Sequence, residues 1–286
     1  MDYAKYFLSE KFPQINLKEL QAVIKQALIE DIGRGDITTE LTIPGNKIIQ
    51  VEIIAKENFL LCGIDVAREV FKAVDPKIKF EKKAKEGRGV KDKETIAIIS
   101  GKASSILRAE RVALNLLSLM SGIATKTRQF VKRIEPFKTK ITDTRKTFPG
   151  LRILQKYAVR IGGGYSHRVR LDEMLLIKDN HLKILGGYFN LPSVPKGYKI
   201  EIETQNLVEF KHALRFNPDI IMLDNMKIKD IKKAITERGK RTIKLEASGG
   251  IKLNNIKKYA ATGVDIISVG ELTHSVKSVD ISLEVT

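Results

Sequence analysis

The chain reads as an α/β protein: a small α+β domain at the N-terminal end, then an incomplete, TIM-like α/β barrel of about six or seven strands. Three observations lead there. From residue 141 onward short apolar runs recur, each closed by a polar or charged residue: KITDT, MLLIKD, YKIEIET, DIIMLDN, TIKLEASGG and DIISVGE. Helix-like stretches such as NLVEFKHALRF, IKDIKKAITE and LNNIKKYAAT fill the gaps. Strand and helix alternating in units of about 20 to 35 residues imply parallel strands with right-handed crossovers. Residues 48 to 101, by contrast, show short β-type runs separated by turns, the pattern of an antiparallel α+β layer. Six units fall short of a regular barrel. A flat doubly wound sheet is the second reading, weakened because no GxGxxG follows the first strand.

The boundaries follow from this change of pattern. Residues 1–115 are expected to form the N-terminal domain, with the tail 274–286 packing back on it, and 116–273 the barrel. Residues 16 to 32 form an amphipathic helix: Asn16 caps it, Glu19 completes a capping-box-like pattern, and Leu17, Leu20, Val23, Ile24, Ala27 and Leu28 make the apolar stripe. Gly33 ends it. Gly33 to Glu40 is expected to be a structured loop with a capped turn. The runs IIQVEIIAK, NFLLCGI, KIKFEKKAK and TIAIISG read as strands, with a short helix, VAREVFKAV, over 66–74. The lysine-rich stretch from Lys77 to Lys93 suits an edge strand and loop, since lysines discourage edge pairing. Ser104 to about Glu135 is one long helix, with Gly122 as a bend. Arg111, which interrupts its apolar face, reads from its surroundings as a solvated helix charge.

Composition narrows the class. The chain has 286 residues, 43% hydrophobic and 30% charged, which is ordinary for a globular protein with an ample core. No apolar run is long enough for a membrane span, so no membrane partner is expected. MDYAKYFLSEKF lacks the apolar core of a secretion leader. The single Cys62 excludes an internal disulfide and reads as a packed thiol; the expected location is cytoplasmic. The net charge of +17 invites a nucleic-acid reading. Lysines are spread among glutamates, however, without an aromatic-studded stripe, so nucleic acid is not the expected partner. The field suits small anionic metabolites instead.

In a β/α barrel the loops at the C-terminal strand ends build the active site. The strand-terminal residues therefore define an expected pocket. One wall is basic: Arg145, Lys146, His167, Arg168 and Lys178. Another is acidic: Glu203 and Asp224. The last two units contribute Ser248-Gly249-Gly250 and Gly270, glycine turns of the kind that expose N–H groups to a phosphate. Two carboxylates facing a phosphate suit Mg²⁺ and sugar hydroxyls. Guanidinium groups bind carboxylates in a two-pronged fashion. The set describes a site for a phosphorylated sugar beside a compound bearing carboxylates. Lys178 also admits a Schiff-base lyase, although its polar, acid-flanked setting does little to lower its pKa.

At these positions the sequence resembles the quinolinate phosphoribosyltransferase family. The stretches that carry the resemblance are EDIGRGDITTE, ERVALNLLSLMSGIAT, TDTRKTFPGLR, YAVRIGGGYSHR, LIKDNH, IEIE, DIIMLDNM, LEASGGI and TGVDIISVGELTHS, in one order over nearly the whole chain. TRKTFPG is also similar to a pyrophosphorylase-like relative associated with molybdenum transport; LIKDNH and the DIGRGD loop favour the quinolinate enzymes. The resemblance implies an α/β N-terminal domain followed by an incomplete barrel, working as a homodimer with shared active sites or as a hexamer of dimers. It implies that Arg145, His167, Arg168 and Lys178 hold the carboxylates of quinolinate, with Lys146 close by. Arg111 would enter the neighbouring subunit's site, against its reading as a surface charge. Glu203 and Asp224 would bind the ribose hydroxyls and Mg²⁺ of phosphoribosyl pyrophosphate. Ser248, Gly249, Gly250 and Gly270 would hold the 5-phosphate. Lys146, Lys178, Glu203 and Asp224 are the expected catalytic groups.

Overall fold

The structure, a computed structural model, describes residues 8–9, 15–191 and 197–286. Most of the N-terminal stretch read above as lacking a leader core lies outside the described residues. In chain order the elements begin with helices α1 (Leu17–Ile32) and α2 (Ile37–Thr42). Then come β1 (Ile48–Ala55), β2 (Phe59–Leu60), α3 (Ile64–Val74), β3 (Lys79–Lys82), β4 (Gly89–Val90), β5 (Thr95–Lys102) and α4 (Ala103–Arg133). The chain continues through β6 (Lys140–Thr142), α5 (Arg152–Ile161), β7 (Leu175–Ile177), α6 (Asp179–Leu185), β8 (Ile200–Thr204), α7 (Leu207–Arg215) and β9 (Ile220–Asp224). It ends with α8 (Ile228–Arg238), β10 (Lys244–Ser248), α9 (Ile256–Ala260), β11 (Ile266–Ser268), α10 (Glu271–His274) and β12 (Ile281–Val285). Two compact units result: one from residues 15–128, 148–163 and 275–286, the other from 8–9, 129–147 and 164–274.

The first unit is built on a four-stranded sheet in the order β12-β1-β5-β3, with antiparallel pairing throughout. The C-terminal tail returns as strand β12, where Val285 pairs with Val51. The lysine-bearing β3 occupies an edge. Asn16 caps α1 by accepting from the Lys18 and Glu19 N–H groups, and Gly33 closes it at φ 56°. The DIGRGDITTE segment contains more than a turn. Asp36 accepts from the Thr39 N–H at 3.0 Å and starts the six-residue α2, too short for an apolar period to reveal. NFLLCGI shortens to two paired residues because Gly63, at φ 98°, turns the chain into α3.

Two further features of this unit differ from or sharpen the sequence reading. Gly122 does not interrupt α4, which runs continuously from Ala103 to Arg133. It gives room instead: a Cβ there would stand 2.3 Å from the Lys277 carbonyl oxygen. Cys62 is fully buried, as a packed thiol should be. Burial, then the neighbouring Glu86 charge, pushes the thiol pKa well up. Glu86 itself accepts from the Gly63 and Ile64 N–H groups at 2.8 and 3.2 Å, and so fixes the start of α3.

The second unit carries a six-stranded sheet in the order β6-β11-β10-β9-β8-β7, parallel at every pairing. All six expected runs are present. Tyr165 adds a parallel bridge to Thr142 beside β6. Read from Tyr165, the neighbours run β6, β11, β10, β9, β8, β7. That is chain order taken cyclically, as in a barrel whose ring is left open between Tyr165 and β7. Side chains alternate along these strands. Ile202, Leu223, Leu245, Ala247 and Ile267 are buried on one face. On the other, Glu201, Glu203, Met222, Asp224, Glu246, Ser248 and Ser268 follow at period two. Filling such positions with aliphatic side chains would stabilise the fold by about 1.5–3 kcal/mol each. A polar inner face therefore serves something other than stability. Among the described residues no helix is long and apolar enough to cross a membrane.

Candidate active site

The polar inner face opens into a cavity of about 350 Å³, within the usual range for a small-molecule site. Thr144, Arg145, Lys146, His167, Arg168, Leu176, Lys178, Glu203, Met222, Asp224, Glu246, Ser248 and Ser268 line it. Eight residues expected at strand ends thus meet in one place: Arg145, Lys146, His167, Arg168, Lys178, Glu203, Asp224 and Ser248. Gly270 adjoins it, since a Cβ there would lie 3.2 Å from the Lys146 side chain. Gly249 and Gly250 follow Ser248 in left-handed conformations, φ 86° and 61°. Arg111 is not among the lining residues. Its side chain is 61% exposed on α4, with Glu110 at 3.8 Å.

The basic wall is held by turn chemistry. The Lys146 N–H donates to Thr144 Oγ1 at 3.0 Å, and Thr273 Oγ1 donates to the Lys146 carbonyl at 2.8 Å. The buried Asp143 accepts from the His167 N–H at 2.9 Å, fixing the segment that follows the three glycines. Arg168 is buried and donates to the Met174 carbonyl at 2.9 Å. Burial first, then the Arg145 charge, lowers its pKa. Nε of Arg145 and Nε of Arg168 are buried with no hydrogen-bond partner among the described residues. Two guanidinium groups held close, each with an unused buried donor, make a site for an anion. In LIKDNH, His181 Nδ1 accepts from the Lys178 N–H at 3.0 Å, which pins the lysine at the head of α6. Lys178 Nζ then reaches Glu203 Oε2 at 2.6 Å.

At the cavity wall His167 meets two glutamates that strand-end reasoning did not single out. His167 Nε2 stands 3.0 Å from Glu201 and 3.6 Å from Glu246, and both glutamates are fully buried. Burial pushes each carboxyl up to about 8. The ligand atoms of the three residues lie within 4.8 Å of one another, close enough for a small cation. Arg168 and Lys178 already supply positive charge to Glu201, which argues against one there. The signal for the glutamates was in the sequence: IEIET places two acids at period two, and TIKLEAS one more, inside strands that must be buried on both faces.

Glu203 and Asp224 end neighbouring strands and line the cavity together. Each has one oxygen engaged, Glu203 by Lys178 and Asp224 by the Asn225 amide at 2.8 Å. Among the described residues one oxygen of each has no hydrogen-bond donor, and these are hard donors that fit Mg²⁺ shared with a phosphorylated ligand.

Known proteins match the chain along nearly its full length. The family model described as quinolinate phosphoribosyl transferase, C-terminal domain, matches residues 123–284, and the N-terminal domain model matches 36–121. A probable nicotinate-nucleotide pyrophosphorylase [carboxylating] of Methanocaldococcus jannaschii is 44% identical over 276 residues, 92% of this chain and 96% of the relative. The corresponding protein of Bacillus subtilis is 39% identical over 277 residues, 95% of each. Among solved structures, the nicotinate-nucleotide pyrophosphorylase of Francisella tularensis superposes with a TM-score of 0.89 at 38% identity. That superposition covers 96% of this chain and 100% of the other.

Proposed function

The chain belongs to the quinolinate phosphoribosyltransferase family, and from that premise we propose how its cavity divides the reaction between two walls. The enzyme transfers phosphoribosyl from phosphoribosyl pyrophosphate to quinolinate with decarboxylation, a step of NAD biosynthesis. The products are nicotinate mononucleotide, pyrophosphate and CO₂. Arg145 and Arg168, with His167 and Lys178 beside them, hold the quinolinate carboxylates. The observation that carries this assignment is the pair of buried, unused Nε donors on two arginines that line one cavity. Glu203 and Asp224 take the ribose hydroxyls. Ser248, Gly249, Gly250 and Gly270 receive the 5-phosphate.

With both substrates bound, the pyridine nitrogen attacks C1′ as the bond from C1′ to pyrophosphate breaks. Positive charge develops on the ribose, and Glu203 and Asp224 stabilise it. Lys146 and Lys178 offset the charge of the departing pyrophosphate. The basic wall keeps the ring nitrogen aimed at C1′, converting an encounter into an oriented displacement. The pyridinium then loses its 2-carboxylate as CO₂. The electron pair left at C2 is stabilised by the adjacent ring cation and takes a proton. Mg²⁺, held by Glu203 and Asp224, would neutralise pyrophosphate charge when bound.

The active unit is a homodimer, or a hexamer of such dimers, in which Arg111 enters the neighbouring subunit's cavity. Its exposure on α4 and its place outside the cavity lining support that role. The direct test of the reaction is incubation with quinolinate, phosphoribosyl pyrophosphate and Mg²⁺. Nicotinate mononucleotide and CO₂ should form in equal amounts, and nicotinate should not replace quinolinate. A Schiff-base adduct with Lys178, trapped by borohydride, would contradict the assignment.

A further inference from the structure

The basic wall is fixed by Asp143, Thr144 and His181; the acidic wall needs a fixing device of its own. Asn225 follows Asp224 at the end of β9, with φ 55°. Non-glycine residues rarely adopt that left-handed conformation, although Asn tolerates it better than most. Three contacts converge on this one residue. Its side-chain amide donates to Asp224 Oδ2 at 2.8 Å. Its backbone N–H donates to the Ser248 carbonyl at 2.9 Å. Its Oδ1 lies under Gly249, where a Cβ would come within 2.3 Å. Gly249 is itself left-handed, at φ 86°, so both its conformation and its bareness are needed to admit the amide.

We propose that Asn225 is a positioning residue that couples the ribose-binding carboxylate of Asp224 to the phosphate-binding turn Ser248-Gly249-Gly250. This deepens the assignment of the acidic wall to the phosphoribosyl donor and rests on it. An amide donor spent on Oδ2 holds the Asp224 carboxylate in one rotamer and leaves Oδ1 for ligand. The backbone hydrogen bond and the packing under Gly249 set the height of the turn against that carboxylate. One residue thereby fixes the spacing between the carboxylate for the ribose hydroxyls and the turn for the 5-phosphate, two groups of one substrate. A left-handed residue is retained at a cost because this geometry requires it.

Two variants separate the side chain from the backbone. Asn225→Gly keeps the left-handed backbone and removes the amide. Asn225→Asp keeps the shape but replaces the donor with a second carboxylate beside Asp224. Calorimetric titration with phosphoribosyl pyrophosphate and Mg²⁺, without quinolinate, reads donor binding independently of turnover; steady-state kinetics then read both KM values. Loss of a hydrogen bond to a charged group should weaken donor binding and raise its KM about ten-fold or more in both variants. The KM for quinolinate and the thermal midpoint should stay near the parent values. Donor binding unchanged in Asn225→Gly would overturn the proposal, as would equal weakening for both substrates. If the parent binds the donor but makes no nicotinate mononucleotide, the functional reading fails while the Asn225 titration still decides its role. A parent that does not bind the donor would overturn both.

Discussion

Lys178 shows how one side chain can matter to both stability and rate. It is 44% exposed and paired to Glu203, which is 8% exposed. Its removal should cost about 1–3 kcal/mol of stability, because the nearly buried Glu203 carboxylate loses its charged partner. Lys178→Met should also lower kcat about a hundred-fold, because a preorganised charge at the reacting centre is lost. Thermal melting and steady-state kinetics on one sample check both halves. Glu246 acts on stability through pH. Burial raises its carboxyl from 4.5 to about 8, so the folded state binds a proton that the unfolded state releases. Stability therefore falls as pH rises between those values, and the loss is complete above about 8. Glu246→Gln should flatten that fall, which denaturant midpoints across the range would register. Most of the strand-end residues were legible because they close apolar runs, whereas His167 and Arg168 follow the three glycines. Glu201 and Glu246 sit inside such runs, so only a two-faced burial argument could have exposed them. Asn225 was hidden in the LDN sequence because its conformation, not its type alone, makes it informative.

The helices and strands divide along similar lines. Long periodic segments, α1, α3 and α4, and the six parallel strands follow from apolar spacing. Shorter pieces depend on single residues that spacing cannot weigh. α2 exists through the Asp36 cap, and Asp36→Ala should cost about 1 kcal/mol, read as a lowered melting midpoint. Gly122 is the sharper case. In isolation, alanine would favour a helix interior by about 1 kcal/mol. Here its Cβ would meet the Lys277 carbonyl at 2.3 Å, a backbone atom in a segment tied down by the β1–β12 pairing. Overpacking of that kind costs about 1–3 kcal/mol and should outweigh the propensity gain. Gly122→Ala should therefore melt earlier, and a variant that melts later would show the tail to be loosely held. Sequence alone suggested a bend because it does not show what crosses over the helix.

At the scale of the whole molecule, the proposed sharing of sites turns on Arg111. Local spacing makes Arg111 a surface charge; only the family resemblance assigns it a partner's site. If sites are shared, inactive Arg111→Ala and Lys178→Ala chains should regain partial activity when mixed under conditions of proven subunit exchange. No recovery would confine each site to one chain. On the proposed division, one cavity has a cationic wall for the dicarboxylate and an acidic wall for the phosphoribosyl donor. Its most direct test is a paired measurement of both KM values in Arg168→Lys and Asp224→Asn. Arg168→Lys keeps the charge but loses the planar fork, and should raise the KM for quinolinate about ten-fold or more while sparing the donor. Asp224→Asn should do the reverse. If both variants raise the same KM, or raise both equally, the two-walled division of the site is wrong.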